Sequence, residues 1–304
     1  MNKGVAATKK RTILLAIPVF LLCAALLAAN AALFLLRLRR RAQTPDPADL
    51  PMGEFHLVAH RGYTDLAPEN TLSAFLAAAE AGFSCVETDV RFTADGEAVL
   101  IHNATVDDTS DGTGAVAEME RSDLLALDFG SWRGAQYAGE RIPTLREGLE
   151  LCRLLDLDVY LELKVPDMTA EQFRAVSEAV KESGMEDHVT FSSFYLDCLK
   201  GMSVRNPQCG YQFLTPGGVA DMMSVLQAMD WMQQHRETAR SVSIGWEYRH
   251  ILSEIAGLVA ERDVGLEAWT VDSAEELETL PPVFSGAITN QITPEGLDAW
   301  RAAA

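Results

Sequence analysis

Residues 56–90, HLVAHRGYTDLAPENTLSAFLAAAEAGFSCVETDV, decide the fold class. His56–Ala59 and Cys85–Val90 are short apolar runs of strand length. Between them, Thr71–Ala81 places Leu72, Phe75, Leu76 and Ala79 at three- and four-residue spacings, the period of a helix with one buried face. Strand, helix and strand within so short a stretch make a unit that joins two parallel strands by a crossover. The alternation recurs downstream. Further strands are predicted at Ala98–Ile101, Val159–Leu163, Val189–Phe191, Gly210–Leu214, Ser241–Ile244, Leu266–Val271 and Gly286–Thr289. Helices are predicted at Leu145–Leu155, Ala170–Lys181, Met222–His235, Ile251–Arg262 and Ala274–Leu280.

Such repetition specifies an α/β protein with parallel strands, and the expected architecture is a TIM-type (β/α)8 barrel. Nine strand candidates exceed the eight staves. The connection from Val90 to Ala98 is too short for a crossover helix, and Ala94-Asp95-Gly96 is a turn signal, so one candidate is expected to be a hairpin partner. Ala104–Arg141 holds five glycines and no strand–helix unit, and reads as an insertion, about 104–141, above the barrel. The competing fold, an open doubly wound sheet, normally carries a glycine-rich phosphate loop after its first strand, and none stands there.

The chain has 304 residues, 48% hydrophobic and 23% charged, which suits a globular core and excludes a disordered or low-complexity architecture. Its net charge of −19 is uneven. Residues 1–49 carry eight Lys or Arg against two Asp, so the rest sums to −25. A domain that acidic repels polyanions, and nucleic acid is not an expected partner. A small anionic substrate is still admissible, because a bound cation reverses the local field. Of the five cysteines, Cys23 lies in an apolar run, and Cys85, Cys152, Cys198 and Cys209 form no CxxC pair. Buried free thiols are expected, with a Cys198–Cys209 disulfide as the alternative.

Four segments organise the chain. Residues 1–12 form a basic tail. Ile13–Leu36 is 24 residues without a charge, enough helix to cross the ~30 Å hydrocarbon core. Because the run ends in Leu-Leu-Arg-Leu-Arg-Arg-Arg rather than at a small-residue cleavage site, it reads as an uncleaved single-pass transmembrane anchor. Basic residues flank both ends equally, so the positive-inside rule leaves the orientation open, with an extracytoplasmic domain the leaning. Residues 37–54 are a basic and then Pro-rich linker, and 55–304 are the barrel domain.

Catalytic groups of such a barrel sit at the C-terminal ends of its strands. The residues predicted there are His60 and Arg61, Glu87 and Asp89, His102, Glu162 and Lys164, and Trp269. Glu87 and Asp89 share a face because strand side chains alternate with period 2. A solvated outer face would explain them, but their neighbours Cys85, Val86 and Val90 read as buried. Three carboxylates suit a hard divalent cation, Mg²⁺ or Ca²⁺, better than zinc. With a cation to polarise a phosphoryl oxygen, Arg61 and Lys164 to stabilise charge, and two imidazoles for proton transfer, the set suits phosphodiester cleavage.

At these residues the chain resembles the glycerophosphodiester phosphodiesterase family. The resemblance runs through Val58-Ala59-His60-Arg61-Gly62, Ala67-Pro68-Glu69-Asn70-Thr71, Glu87-Thr88-Asp89-Val90, Val99-Leu100-Ile101-His102, Ile142-Pro143-Thr144-Leu145, Leu161-Glu162-Leu163-Lys164, Ser193-Phe194 and Trp269-Thr270-Val271, in the family's order. It implies a TIM-type barrel with an insertion after the second histidine. It also implies metal-dependent hydrolysis of glycerophosphodiesters to glycerol 3-phosphate and an alcohol. His60 and His102 are then the acid–base pair, in an order left open. Glu87, Asp89 and Glu162 hold the metal, Arg61 and Lys164 contact the phosphate, Glu69 and Asn70 shape the loop beside His60, and Trp269 lines the pocket. The family's route has a glycerol hydroxyl attack phosphorus to form a cyclic phosphate that water opens. The alternatives are a lysophospholipase D-type activity on lysophospholipids, which an anchor would favour, and a catalytically weakened barrel that binds. Two positions depart from the family's pattern: Asn103 and Asn290 stand where Asp is usual.

Overall fold

Parallel pairing of strand β1 (His56–Ala59) with both β2 (Cys85–Phe92) and β9 (Gly286–Thr289) closes the sheet on itself. The circuit runs through β4 (Asp158–Leu163), β5 (Val189–Ser193), β6 (Gly210–Thr215), β7 (Val242–Glu247) and β8 (Gly265–Trp269), every neighbour parallel. The protein is thus a closed barrel of eight parallel strands. The computed structural model describes residues 55–250 and 253–303. The basic tail, the apolar segment Ile13–Leu36 and the linker 37–54 lie outside them. Among the described residues no helix is long and apolar enough to cross a membrane.

The ninth strand is the expected hairpin partner. β3 (Ala98–Leu100) runs antiparallel to β2, with Val90 opposite Leu100 and Phe92 opposite Ala98. The reversal uses Gly96 at φ +86°, a left-handed conformation open to glycine at no steric cost. The crossover helices begin on short polar side chains. Thr71 Oγ1 accepts from the Ala74 amide to cap α1 (Leu72–Glu80). The insertion contributes one turn of α-helix, α2 (Arg121–Leu124), between two 3-10 turns. Thr144 with Glu147, and Thr169 with Gln172, form capping boxes on α3 (Leu145–Leu154) and α4 (Ala170–Glu182). The next helix, α5 (Leu196–Ser203), has only eight residues and no side-chain cap, and its periodicity is too short to read in the sequence. Then follow α6 (Met222–His235), α7 (Ser253–Ala260), α8 (Ala274–Glu278) and α9 (Pro294–Ala303). A legible signal does precede α9: the Thr293 hydroxyl accepts from the Gly296 amide, and Pro294 opens the helix.

Period 2 sorts the strand residues between two cores. Outward residues such as Leu161, Phe191 and Tyr211 are fully buried, and Tyr211 meets Trp231 of α6 edge-on at 5.6 Å. Inward, Val58, Cys85, Tyr160 and Ile288 cluster in the lumen. Below the mouth, buried Glu267 accepts from Tyr160 OH at 3.0 Å and Gln212 Nε2 at 2.7 Å, while Ser192 Oγ donates to Gln212 Oε1. These partners satisfy the carboxylate, as burial of a charge requires. Cys85, Cys152, Cys198 and Cys209 are buried free thiols, so Cys198 and Cys209 are not bonded. Cys23 lies outside the described residues.

The insertion has its own core of Val106, Val116, Leu124 and Phe129, packed on Val99, Ile101 and Ile142. It grips the loop after β1: Arg133 donates to the Thr64 and Asp65 carbonyls, and Tyr137 OH to the Leu66 carbonyl at 2.7 Å. At the start of that loop Arg61 and Gly62 take successive left-handed conformations, φ +57° and +80°. A methyl group on Gly62 would lie 2.6 Å from Ala74 Cβ and 2.7 Å from the Ala74 carbonyl carbon. Gly62→Ala is therefore expected to cost about 3 kcal/mol through backbone strain and overlap, or roughly 10 °C in Tm. Calorimetry checks this, and an unchanged Tm would contradict the tight seating of the loop on α1.

Candidate active site at the barrel mouth

Strand register gathers residues that lie far apart in the chain. Glu87 and Asp89 project inward together from β2, and Asp89 pairs with Glu162 on β4. Pairing of Ala59 with Val86 sets His60, the first residue past β1, beside Glu87. The Ile101 amide donates to the Asp89 carbonyl at 2.9 Å and so brings His102 to the same rim. The Lys164 amide, just past β4, reaches the Val90 carbonyl. The solvated-face reading of Glu87 and Asp89 is excluded, since they are 3% and 0% exposed.

Each of Glu87, Asp89 and Glu162 offers a carboxylate oxygen within 4.8 Å of the other two. Arg61 donates its backbone amide to Glu87 Oε2 at 3.0 Å, pairs with Glu69 at 2.9 Å and approaches Asp89 at 3.4 Å. Lys164 Nζ lies 2.8 Å from Glu162 and 3.4 Å from Asp89. Asn70, with φ +56°, directs its side chain at Asp89: Nδ2 donates to Oδ2 at 2.8 Å, while Oδ1 accepts from the Thr88 hydroxyl and the Asp89 amide. Asn70 thus orients a carboxylate as well as shaping the loop. Glu87 Oε1 is buried without a hydrogen-bond partner, and Asp89 Oδ1, also buried, has the Lys164 ammonium at 3.4 Å. Buried carboxylate oxygens that converge in this way, one of them without a partner, fit a hard divalent cation.

The electrostatics agree. Burial, then the neighbouring charge of Asp89, raises Glu87 well above the usual carboxylate range and Glu162 to about 7. Burial would raise Asp89 too, but Lys164 and Arg61 outweigh it and hold Asp89 low. Burial and adjacent Arg61 lower His60 to about 4, and burial lowers His102.

A raised carboxylate pKa means that the folded protein binds protons more tightly than the unfolded chain. This contribution is complete below the unfolded pKa of about 4.5 and is lost as pH rises through the folded value, worth roughly 3 kcal/mol. With EDTA present, Glu162→Gln should therefore match the wild type in Tm below about pH 4.5, exceed it increasingly as pH rises from there to about 7, and hold that margin above. Thermal melts across that range check the sign. A variant less stable than the wild type at high pH would mean that Lys164 already stabilises the charged carboxylate.

Both histidines are held through Nδ1. His60 Nδ1 lies 2.8 Å from Asn290 Oδ1, and His102 Nδ1 lies 2.8 Å from Asn103 Oδ1. The two departures from the expected pattern therefore fall on the two histidines' partners. A cavity of about 140 Å³ opens between unlike walls. His60, Arg61, Glu87, His102, Glu162 and Lys164 form the polar, ionisable wall, and Phe194, Leu214, Trp269 and Ile288 the apolar one, with Ser192 and Gln212 also lining it. Phe194 meets Trp269 edge-on at 5.6 Å, and Trp269 Nε1 is buried without a partner. All ten residues singled out from the sequence lie at this mouth or on the loop beside it. Ser192, Leu214, Gln212 and Asp272 were not singled out, and Asn290 was noted only as a departure from the family's pattern. Their strand-end position was the available signal, but a single polar or apolar residue there carries no chemistry by itself.

Residues 60–292 match the model of the Glycerophosphoryl diester phosphodiesterase family. A glycerophosphodiester phosphodiesterase of Caldanaerobacter subterraneus is 32% identical over 225 residues, 74% of this chain and 88% of that protein. Human glycerophosphodiester phosphodiesterase 1 is 36% identical over 138 residues, 45% of this chain and 40% of that protein. Among solved structures, a phosphodiesterase of Oleispira antarctica in complex with its product sn-glycerol-3-phosphate superposes with a TM-score of 0.70 at 24% identity, covering 81% of this chain and 96% of that one.

Proposed function

Because the chain belongs to the glycerophosphoryl diester phosphodiesterase family, whose members are phosphoric diester hydrolases, we propose that it hydrolyses glycerophosphodiesters to glycerol 3-phosphate and an alcohol with a divalent cation at Glu87, Asp89 and Glu162. The observation that carries the reading is the set of three buried, mutually facing carboxylates between two histidines. Charge supports it. With every carboxylate ionised, Glu69, Glu87, Asp89 and Glu162 outnumber Arg61 and Lys164 by two, a surplus that a divalent cation would offset. The cation, Mg²⁺ or Ca²⁺, supplies Lewis-acid polarisation of a phosphoryl oxygen. The protein supplies the rest. Arg61 and Lys164 face the phosphate and stabilise charge that grows on its oxygens. One of His60 and His102 takes a proton from the attacking oxygen at its Nε2, and the other gives one to the leaving oxygen. Trp269, with Phe194 and Leu214, walls off water on the alcohol side.

That apolar wall favours one second substrate class, lysophospholipids, which carry the same diester with an acyl chain. The proposal extends to the N-terminus, with Ile13–Leu36 holding the domain at a bilayer. A panel of glycerophosphodiesters and lysophospholipids, each assayed for the phosphorylated product with Mg²⁺, Ca²⁺ or EDTA, separates the readings. Glycerol 3-phosphate released from the deacylated diesters supports the first. Product from lysophospholipids alone selects the second, and none from either would leave the barrel a binding module.

A further inference from the structure

Each histidine at the mouth is the end of a three-residue chain. Asn290 Nδ2 donates to Asp272 Oδ2 at 2.9 Å, and the Asn290 amide donates to Asp272 Oδ1 at 2.7 Å. Asn103 Nδ2 donates to Asp108 Oδ2 at 2.7 Å. A carboxylate only accepts, so the NH₂ end of each Asn must face its Asp. Turning either amide over would set two acceptor oxygens against each other. The Asn oxygen therefore faces the histidine, and for Asn290 it also accepts from the Thr64 hydroxyl at 2.9 Å. A carbonyl oxygen accepts and cannot donate, so Nδ1 of each histidine must carry hydrogen. In the neutral ring that leaves Nε2 bare, and the His60 Nε2 lies on the site side, 3.9 Å from Glu87.

We infer that Asn290 with Asp272, and Asn103 with Asp108, are positioning residues that lock His60 and His102 in the Nδ1–H tautomer with Nε2 presented to the substrate. The inference rests on the reading of these histidines as the acid–base pair. An Nδ1–H bond to a neutral amide is present whether or not Nε2 is protonated. The ring therefore keeps its aim while Nε2 gains and loses its proton. Two unrelated segments, 230 and one residue away from the histidines they serve, arrive at the same arrangement. No Asn–Asp relay holds His188, His235 or His250, whose Nδ1 atoms meet the Asp158 carboxylate, the Trp231 carbonyl and the Glu247 carboxylate directly.

The test is long-range ¹⁵N NMR of the full chain in mild detergent, with His60 and His102 assigned by loss of signal in His60→Gln and His102→Gln. Both wild-type rings should show the Nδ1–H form at neutral pH. Asn290→Ala and Asn103→Ala should each release only their own histidine into the Nε2–H form. Each should lower kcat about 10- to 100-fold, the scale of removing the partner that orients a ligating histidine, with KM little changed because the amides touch no substrate. Asn103→Asp combined with Asp108→Asn keeps an acceptor for Nδ1 and a donor–acceptor contact behind it, and should recover most of the loss. Wild-type rings protonated at Nε2, or Ala variants with unchanged tautomers, would overturn the inference, as would loss of kcat without a tautomer change. The NMR arm needs no turnover. If the wild type cleaved no phosphodiester, the functional reading would fall while the spectra still decided the positioning claim.

Discussion

Glu162→Gln is expected to remove catalysis and metal response together. The substitution keeps shape and volume but deletes one of three charges that converge within 4.8 Å. Lewis-acid stabilisation is worth several kcal/mol, and each 1.4 kcal/mol is a factor of ten, so kcat should fall about 10³-fold or more. Wild-type protein should melt higher when Mg²⁺ or Ca²⁺ is added, by mass action on the folded state, and the variant should not. These effects have opposite signs in the metal-free protein, where the same change relieves a buried carboxylate raised to about 7. A variant that is more stable in EDTA, inactive and deaf to the cation is the signature of a site built for binding at the expense of stability. A metal-induced shift that survives in Glu162→Gln would remove Glu162 from the ligand set.

His60→Ala and His102→Ala should each lower kcat by about 10²- to 10⁴-fold, the usual worth of a general acid or base. Both line the same cavity, from the ends of different strands, as a pair that serves one substrate must. Groups that act as a unit are not additive, and the double variant should be little worse than the poorer single one. A diester with a much better leaving group needs less help from an acid. It should rescue one variant and not the other, which identifies the acid. Near wild-type turnover in either variant, with the metal-induced shift in Tm intact, would take that histidine out of the mechanism.

Much of the fold was legible because parallel barrel strands are buried on both faces. His56–Ala59, Val159–Leu163 and Gly286–Thr289 stand out as apolar runs between turn residues, and Ala94-Asp95-Gly96 marked the hairpin. That Glu87 and Asp89 share a face follows from period 2 alone. That Asp89 pairs with Glu162 does not, because no local pattern encodes the register of strands about seventy residues apart. The same limit hid the partners of the histidines. Asn290 reaches His60 across 230 residues through closure of β9 onto β1, and Asp272 reaches Asn290 across 18 through pairing of β8 with β9. Asn103 was visible as a neighbour of His102, but the direction of its amide depends on Asp108, which a sequence does not orient. α5 escaped because eight residues without a cap give too few turns of periodicity.

The most direct test of the account is release of glycerol 3-phosphate from glycerophosphocholine by the full chain in mild detergent. It should be followed with EDTA and then with excess Mg²⁺ or Ca²⁺. Product that forms with the cation, stops with EDTA and resumes when the cation is restored is the expected result. Undiminished turnover in EDTA, after prolonged dialysis against it, would contradict a divalent cation at Glu87, Asp89 and Glu162 as the centre of the chemistry.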